Sequence, residues 1–221
     1  EILVFSKSGV VSRREHCGKR AKKLCIFEYI YFARPDSVID DISVHSFRVK
    51  AGRTLAKARP VKADVVIGAP DSGMDAALGF SQESGIPYGI GLIKNKYIGR
   101  TFISPGQNAR LDGVRIKLAA VEESVRGKRV VLVDDSIVRG NTIGRVVRLL
   151  RDAGAIEVHV RISSPPFMNP CYYGTDIDSR EHLVACKHSI PEICDMIGAD
   201  SLGYLPVESL SLLTGHDGYC S

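Results

Sequence analysis

The sequence lacks long hydrophobic runs. Its apolar stretches are only a few residues long, as at Val130–Val133. A bilayer-crossing helix needs about 20, so a membrane protein is excluded. Blocks of like charge are missing too. The 30 Lys and Arg against 25 Asp and Glu leave a formal net charge of +5, spread over many turns. That excess fits an anionic small ligand as well as nucleic acid and forces neither. No basic stretch is long enough to be a nucleic-acid arm, and no nucleic-acid partner is expected. Internal repeats and low-complexity tracts are absent. With 44% hydrophobic and 25% charged residues, the composition is that of an ordinary globular protein and not of a fibrous or disordered one. No signal peptide is visible. The six cysteines (Cys17, Cys25, Cys171, Cys186, Cys194 and Cys220) have irregular spacing. They do not form a disulfide scaffold and suggest free or metal-bound thiols in a reducing, cytoplasmic setting. A local ferredoxin-like cysteine run is also missing, so spacing alone points to no cluster.

What is present is an alternation of strand and helix. Residues 1–5 suit a terminal strand, residues 12–23 a basic linker, and residues 25–37 an aromatic strand or extended start followed by a turn. Phe47, Ala51, Leu55 and Ala58 recur at helical spacing and Pro60 stops that helix. Strands are expected at 64–67, 88–93, 130–133 and 156–162. Helices are expected at 74–84, closed by Gly85, and along the Ile143, Val146, Val147, Leu150 stripe. Ser189 with Glu192 makes a capping box for one more helix, and Pro206 opens another. Such an order implies right-handed crossovers, an α/β class and a mostly parallel twisted sheet flanked by helices. One domain over 25–221 is expected, preceded by a tail over 1–24. The chain starts at Glu1 rather than Met and stops at Ser221 just after a cysteine, so a piece of a longer protein is expected.

Residues 128–142, KRVVLVDDSIVRGNT, carry the chemistry. An apolar strand ends in two adjacent carboxylates, Asp134 and Asp135. A small loop follows, with Ser136, Arg139, Gly140, Asn141 and Thr142, and then a helix. A helix N-terminus presents unpaired N–H groups and a positive dipole end, which suit a phosphate. Gly140 lets the backbone approach, and the hydroxyls of Ser136 and Thr142 can donate. The carboxylates repel a phosphate but can hold sugar hydroxyls or a Mg²⁺ ion. The bland alternative is an acidic turn plus a helix cap, for which Asp and Ser are common on local grounds.

This stretch resembles the phosphoribosyl pyrophosphate (PRPP) signature of type I phosphoribosyltransferases. Together with CIFEYIYFARPDS at 25–37, APDS at 69–72, KNKYIGRTFISPGQ at 94–107 and SSPPFMNPCYYG at 163–174, nearly the whole chain is similar to the glutamine PRPP amidotransferase family. The resemblance implies a type I phosphoribosyltransferase fold with a lid loop. It implies conversion of PRPP, glutamine and water to 5-phosphoribosylamine, glutamate and pyrophosphate, the opening step of de novo purine synthesis. Asp134 and Asp135 would hold the ribose hydroxyls and a Mg²⁺ site. The loop Ser136, Ile137, Val138, Arg139, Gly140, Asn141, Thr142 would take the 5-phosphate. Asp71 and Ser72 would belong to a pyrophosphate loop, Ser72 as a further Mg²⁺ contact. By itself that turn suits a simple strand-to-helix connection.

Residues 94–117 show no periodicity and carry Lys94, Lys96, Tyr97, Arg100, Arg110, Arg115 and Lys117. A long segment of this kind is a solvated loop or a lid. By resemblance it is a lid, in which Lys94, Tyr97, Arg100 and Lys117 assist departure of pyrophosphate and exclude water. Lys96 stands where the family more often has Arg. Cys25, Cys171 and Cys220 resemble three ligands of a structural [4Fe–4S] cluster found in one branch of the family, whose fourth cysteine would lie beyond Ser221. Cys186 and Cys194, in helical contexts, suit buried apolar thiols. Nothing resembles the family's N-terminal glutaminase domain beyond a last strand in residues 1–16, so free ammonia is the expected nitrogen source for this chain. The resemblance further implies inhibition by purine nucleotides and a homo-oligomer, a tetramer. Two alternatives share the motif at 128–142: a base-salvage phosphoribosyltransferase, which should lack the 94–107 segment and the scattered cysteines, and a non-catalytic PRPP-binding regulator, which would not need the basic lid.

Overall fold

The computed structural model describes residues 1–15, 17–19, 21, 23–95, 118–175, 177, 179–215 and 218–220. Four parallel strands form its centre. These are β1 (Val65–Gly68), β2 (Arg129–Asp134), β3 (Glu157–Ile162) and β4 (Ser201–Tyr204), side by side in chain order. Val65 pairs with Val130 and Val130 with Val158, while Ile162 pairs with both Asp134 and Tyr204. Strands β1 and β2 are valine-rich and buried on both faces, as a sheet covered on both sides requires.

Alternation along β1 and β2 sends side chains to two separate cores. Val65, Ile67, Val130 and Leu132 pack against α3 (Asn141–Asp152) and α4 (Ile190–Ile197), through Ile143, Val147, Leu150 and Ile193. Val66, Val131 and Val133 pack on the opposite face against α1 (Val44–Ala58) and α2 (Gly73–Ser84), through Phe47, Leu55, Ala76 and Phe80. The helix after β1 and the helix after β2 therefore lie on opposite faces. Their connecting loops leave neighbouring strand ends and diverge, which opens a crevice at the carboxyl edge of the sheet, the usual ligand position in such folds.

The helical stripe of α1 is as expected. The helix starts on the Ser43 hydroxyl, which accepts the Ser46 N–H at 3.3 Å, and ends before Pro60. The Ser189–Glu192 capping box opens α4.

Four expectations need correction. The aromatic run 25–37 is not a strand. Only Leu24–Cys25 is extended, and Glu28–Phe32 form a wide helical turn. The buried residues Ile26, Tyr29 and Ile30 are spaced i, i+3, i+4, a helical pattern that outweighs the aromatic preference for strands. Residues 88–93 split into a single bridge from Tyr88 to Val66 and a short ribbon of Leu92–Lys94 against Leu118–Ala120. Gly89 and Gly91 lie so close to the Val65 and Ile67 side chains that a Cβ would stand 2.8 and 2.7 Å from them, and the segment runs parallel to β1 with that one bridge instead of extending a ladder. Strand β4 was not expected, because it is short and contains Gly203, a residue that weakens strand patterns. The residues 12–23 read as a linker begin inside a hairpin, Ile2–Ser6 against Gly9–Arg13, whose side chains are exposed. No helix among the described residues is long and apolar enough to cross a membrane.

Candidate active site

The crevice is built from two loops. The first leaves β1 through Ala69–Pro70–Asp71–Ser72, with a cis peptide bond between Pro70 and Asp71. The Ala69 N–H donates to the Val133 carbonyl at 2.8 Å, which presses the turn against the end of β2. Gly73 permits that approach, because a Cβ there would lie 2.5 Å from the Val133 oxygen. The turn thereby reaches the acidic pair: the Ser72 hydroxyl donates to Asp135 Oδ2. Asp71 pairs instead with Lys94 Nζ, carried in from the Leu92–Lys94 ribbon.

The second loop carries the carboxylates. Asp135 is buried, and its two oxygens are taken by two hydroxyls, Ser72 on one side and Ser136 at 2.5 Å on the other. Asp134 Oδ1 accepts the Asp135 N–H at 2.9 Å. Burial, reinforced by the charge of Asp135, pushes the Asp134 carboxyl well above the usual carboxylate range. A proton or a divalent cation would relieve that cost.

Ile137 is buried and anchors the loop, and the Val138 carbonyl accepts the Val184 N–H at 2.9 Å. Gly140 takes the left-handed conformation, φ 82°, that turns the chain into α3. No side chain caps α3, and Asn141 and Thr142 are exposed. The first N–H groups of a twelve-residue helix therefore point into the crevice edge without a side-chain acceptor. One end of the crevice suits an anion, and the other a polyol or a metal ion.

Of the expected site residues, the structure brings together Ser72, Asp134, Asp135, Ser136 and the loop to Thr142. Asp71 and Lys94 pair beside them. Tyr97, Arg100 and Lys117, like Lys96, Arg110 and Arg115, lie outside the described residues. Sequence reasoning missed Arg48. It sits on the buried side of α1 and donates to the carbonyls of Tyr29 at 2.7 Å and Ala33 at 2.9 Å. Burial pulls its pKa down, while Asp75 and Asp135 act to hold its charge. An arginine at i, i+3, i+7 with Ala51 and Leu55 was the available signal.

Five of the six cysteines fall in two groups, and Cys17 is exposed outside both. Cys25 and Cys220 face each other in a short parallel pairing of Leu24–Cys25 with Tyr219–Cys220. The Cys25 thiol is pushed up by burial, and further by Cys220 and Cys171. The Thr175 side chain and the Tyr173 N–H pull the Cys171 thiol down to about 7. Among the described residues, no three His, Cys, Asp or Glu side chains are grouped closely enough to hold a metal ion. Cys186 and Cys194 are half-buried and not sealed in the core as expected. Each thiol donates to a carbonyl, of Met168 at 3.0 Å and Ala199 at 3.2 Å.

Comparison with known proteins agrees with this architecture. The chain is 52% identical to an amidophosphoribosyltransferase of Synechocystis sp., with all of this chain and 45% of the relative covered. It is 56% identical to one of Archaeoglobus fulgidus, with 90% and 44% covered. It spans less than half the length of these relatives. Among solved structures, glutamine PRPP amidotransferase from B. subtilis complexed with ADP and GMP superposes with a TM-score of 0.83 at 53% identity, covering 97% of this chain and 47% of that one. A structure described as the allosteric regulatory enzyme of purine biosynthesis gives 0.82 at 53% identity, covering 97% and 46%. The fold is the type I phosphoribosyltransferase fold. A family model described as phosphoribosyl transferase domain matches residues 48–164, from α1 through both crevice loops to the end of β3, and the chain belongs to that family.

Proposed function

We propose that this chain is the PRPP-using half of an amidophosphoribosyltransferase. The observation that carries the reading is the crevice, where an acidic pair and an uncapped helix N-terminus sit at the carboxyl edge of one sheet. The N–H groups at the start of α3, with the Thr142 hydroxyl, bind the 5-phosphate, while the Ser136 hydroxyl stays on Asp135. Asp134 and Asp135 accept the ribose hydroxyls. Ser72 fixes Asp135 from the opposite loop, so the two loops are held as one surface. Lys94 sits over the Asp71 turn, where its ammonium group meets the negative charge of departing pyrophosphate. Ammonia attacks the anomeric carbon from the face opposite the leaving group. Tyr97, Arg100 and Lys117 complete a lid that keeps competing water away.

Mg²⁺ fits Asp134 and Asp135, with Ser72 beside them, because a divalent cation would offset the cost of ionising Asp134. When bound it supplies charge neutralisation of the pyrophosphate. In the longer protein, a glutaminase domain releases ammonia from glutamine, purine nucleotides inhibit, and the assembly is a cytoplasmic homotetramer. The relative whose structure holds ADP and GMP supports the nucleotide part.

For a [4Fe–4S] cluster, Cys25, Cys171 and Cys220 would supply thiolates from three separate segments, two of them already opposite each other. Such a group would tie the first segment, the 163–175 loop and the last strand together and take no part in the chemistry. Full-length protein prepared anaerobically, with the fourth cysteine present, is expected to contain iron and sulfide, and their absence would remove the cluster from the reading.

The test of the main reading is pyrophosphate release from PRPP and Mg²⁺. Release is expected with ammonia, and no glutamate is expected from glutamine. Binding of PRPP without ammonia-dependent release, or release only with a purine base, would overturn it.

A further inference from the structure

Strands β3 and β4 differ from β1 and β2 on the side facing away from α3. There β1 and β2 bury Val66, Val131 and Val133. By contrast, β3 and β4 carry Glu157, His159, Arg161, Ser201 and Gly203 in facing register positions. These polar residues form a chain. His159 bonds to Glu157 through Nε2 at 2.9 Å and to the Ser201 hydroxyl through Nδ1 at 3.0 Å. Ser201 Oγ also accepts from Arg161 Nη1 at 3.0 Å.

Arg161 is only 5% exposed. Its Nε donates to the Arg59 carbonyl at 2.9 Å and its Nη1 to the Val160 carbonyl at 2.9 Å. Every acceptor it has is neutral. Among the described residues its remaining terminal nitrogen, Nη2, has no hydrogen-bond partner. Among the described residues the sealed polar atoms without a partner are Ser164 Oγ and Tyr204 OH, so Nη2 is not fully sealed from solvent. The Arg59 side chain lies against the same spot: a Cβ on Gly203 would stand 3.0 Å from the Arg59 stem and 3.3 Å from Arg161 Cδ. Gly203 thus leaves room for two arginine stems side by side. Burial, then the charge of Arg59, pulls the Arg161 pKa down to about 10, still far above neutrality. Among the described residues, neither arginine pairs with a carboxylate, and the nearby Glu157 is engaged by His159.

A buried guanidinium without a counter-charge is strongly unfavourable. A second cation beside it, Arg59, adds to that cost. The planar fork of arginine matches an oxyanion better than it matches any neutral group.

We propose that Arg161 and Arg59 form an anion-binding site for a small tetrahedral oxyanion of the phosphate class, separated by the sheet from the phosphate loop at α3. The neutral acceptors hold Arg161 in place, and Nη2 with the Arg59 guanidinium supplies the free donors.

The test is titration with inorganic phosphate at constant ionic strength, balanced with chloride, on the wild type, Arg161→Met and Arg59→Gln. The phosphate loop remains in all three. The expected result is two classes of phosphate site in the wild type and one in Arg161→Met. In Arg59→Gln the second class should weaken roughly tenfold, the scale of one charge-assisted hydrogen bond. In wild-type protein labelled with ¹⁵N-arginine, the Arg161 Nε–H resonance should move with phosphate. Arg161→Met should also melt higher than wild type in chloride, by a margin that shrinks as phosphate is added. Identical phosphate isotherms in wild type and Arg161→Met, or an Arg161 resonance indifferent to phosphate, would overturn the proposal. So would Arg161→Met lowering the oligomeric mass while leaving phosphate binding unchanged, because the counter-charge would then be a carboxylate of a second copy. If Arg161→Met does not fold, Arg59→Gln and the resonance titration decide.

Discussion

Asp134→Asn is expected to lower ammonia-dependent pyrophosphate release by about 10²–10³-fold, the scale of losing one preorganised electrostatic group at a reacting centre, and at the same time to make the fold more stable at neutral pH. The two effects have one cause. Asp134 is held where burial and Asp135 oppose its ionisation, and on the proposed reading a bound cation accepts its charge. Its native carboxyl pKa is raised above the unfolded value, so folding favours the proton. That contribution is fully present below the unfolded pKa and is lost as pH rises through the native one. Asn carries no such cost. The stability gain of Asp134→Asn should therefore be largest above the raised pKa and fade as pH falls through it. Urea midpoints of the two proteins across that range, beside pyrophosphate assays, read both effects. A variant that is less stable at every pH would show that Asp134 is a structural acid rather than a strained binding group. Ser136→Ala separates the cases further: it removes one of the two donors to Asp135 and should reduce release less than the loss of Asp134.

The acidic pair was legible because its geometry is local. A valine-rich strand, two carboxylates, a small loop with Gly140 and a helix lie within fifteen consecutive residues, and strand ends and helix starts obey rules of short range. The other half of the site was not legible by the same means. Ser72 and Asp135 are 63 positions apart. The hydrogen bond between them depends on β1 and β2 being neighbours and on Gly73 allowing their loops to touch. Alone, the APDS turn suited a plain connection, and only the family resemblance suggested otherwise. Arg48 was hidden for a related reason. Its function in the fold is to satisfy carbonyls of the turn at 29–33, and that turn was misread as extended. The helical spacing of Ile26, Tyr29 and Ile30 was present in the sequence but overshadowed by its aromatic content. Strand β4 is four residues with a glycine, too short for periodicity to identify.

Gly52→Ala and Gly79→Ala should each destabilise the protein by about 2–4 kcal/mol, although alanine is the better helix former by about 1 kcal/mol. The two glycines face each other across the crossing of α1 and α2. A Cβ on Gly52 would overlap the Ala76 carbonyl, and a Cβ on Gly79 would overlap the Val49 carbonyl. Both obstacles are backbone, so no rotamer change can relieve them. The helices would have to separate, and with them Phe47, Leu55, Ala76 and Phe80 in the core beneath. Packing therefore outweighs propensity. Gly144→Ala in α3 is the control: its Cβ would meet Ile197 Cα at 3.5 Å, an ordinary contact, so propensity should win and stability hold or rise. The same separation reaches the site. α2 begins immediately after Ser72, and α1 carries Arg48, so spreading the pair draws the Ser72 hydroxyl away from Asp135. Where the Gly52 variant still folds, half-saturation with PRPP should move to higher concentration, while Gly144→Ala keeps the wild-type stability. Equal urea midpoints for Gly52→Ala and the wild type would mean that the two helices do not meet backbone to backbone, and that the fixed distance between the Ser72 turn and the acidic pair has another origin.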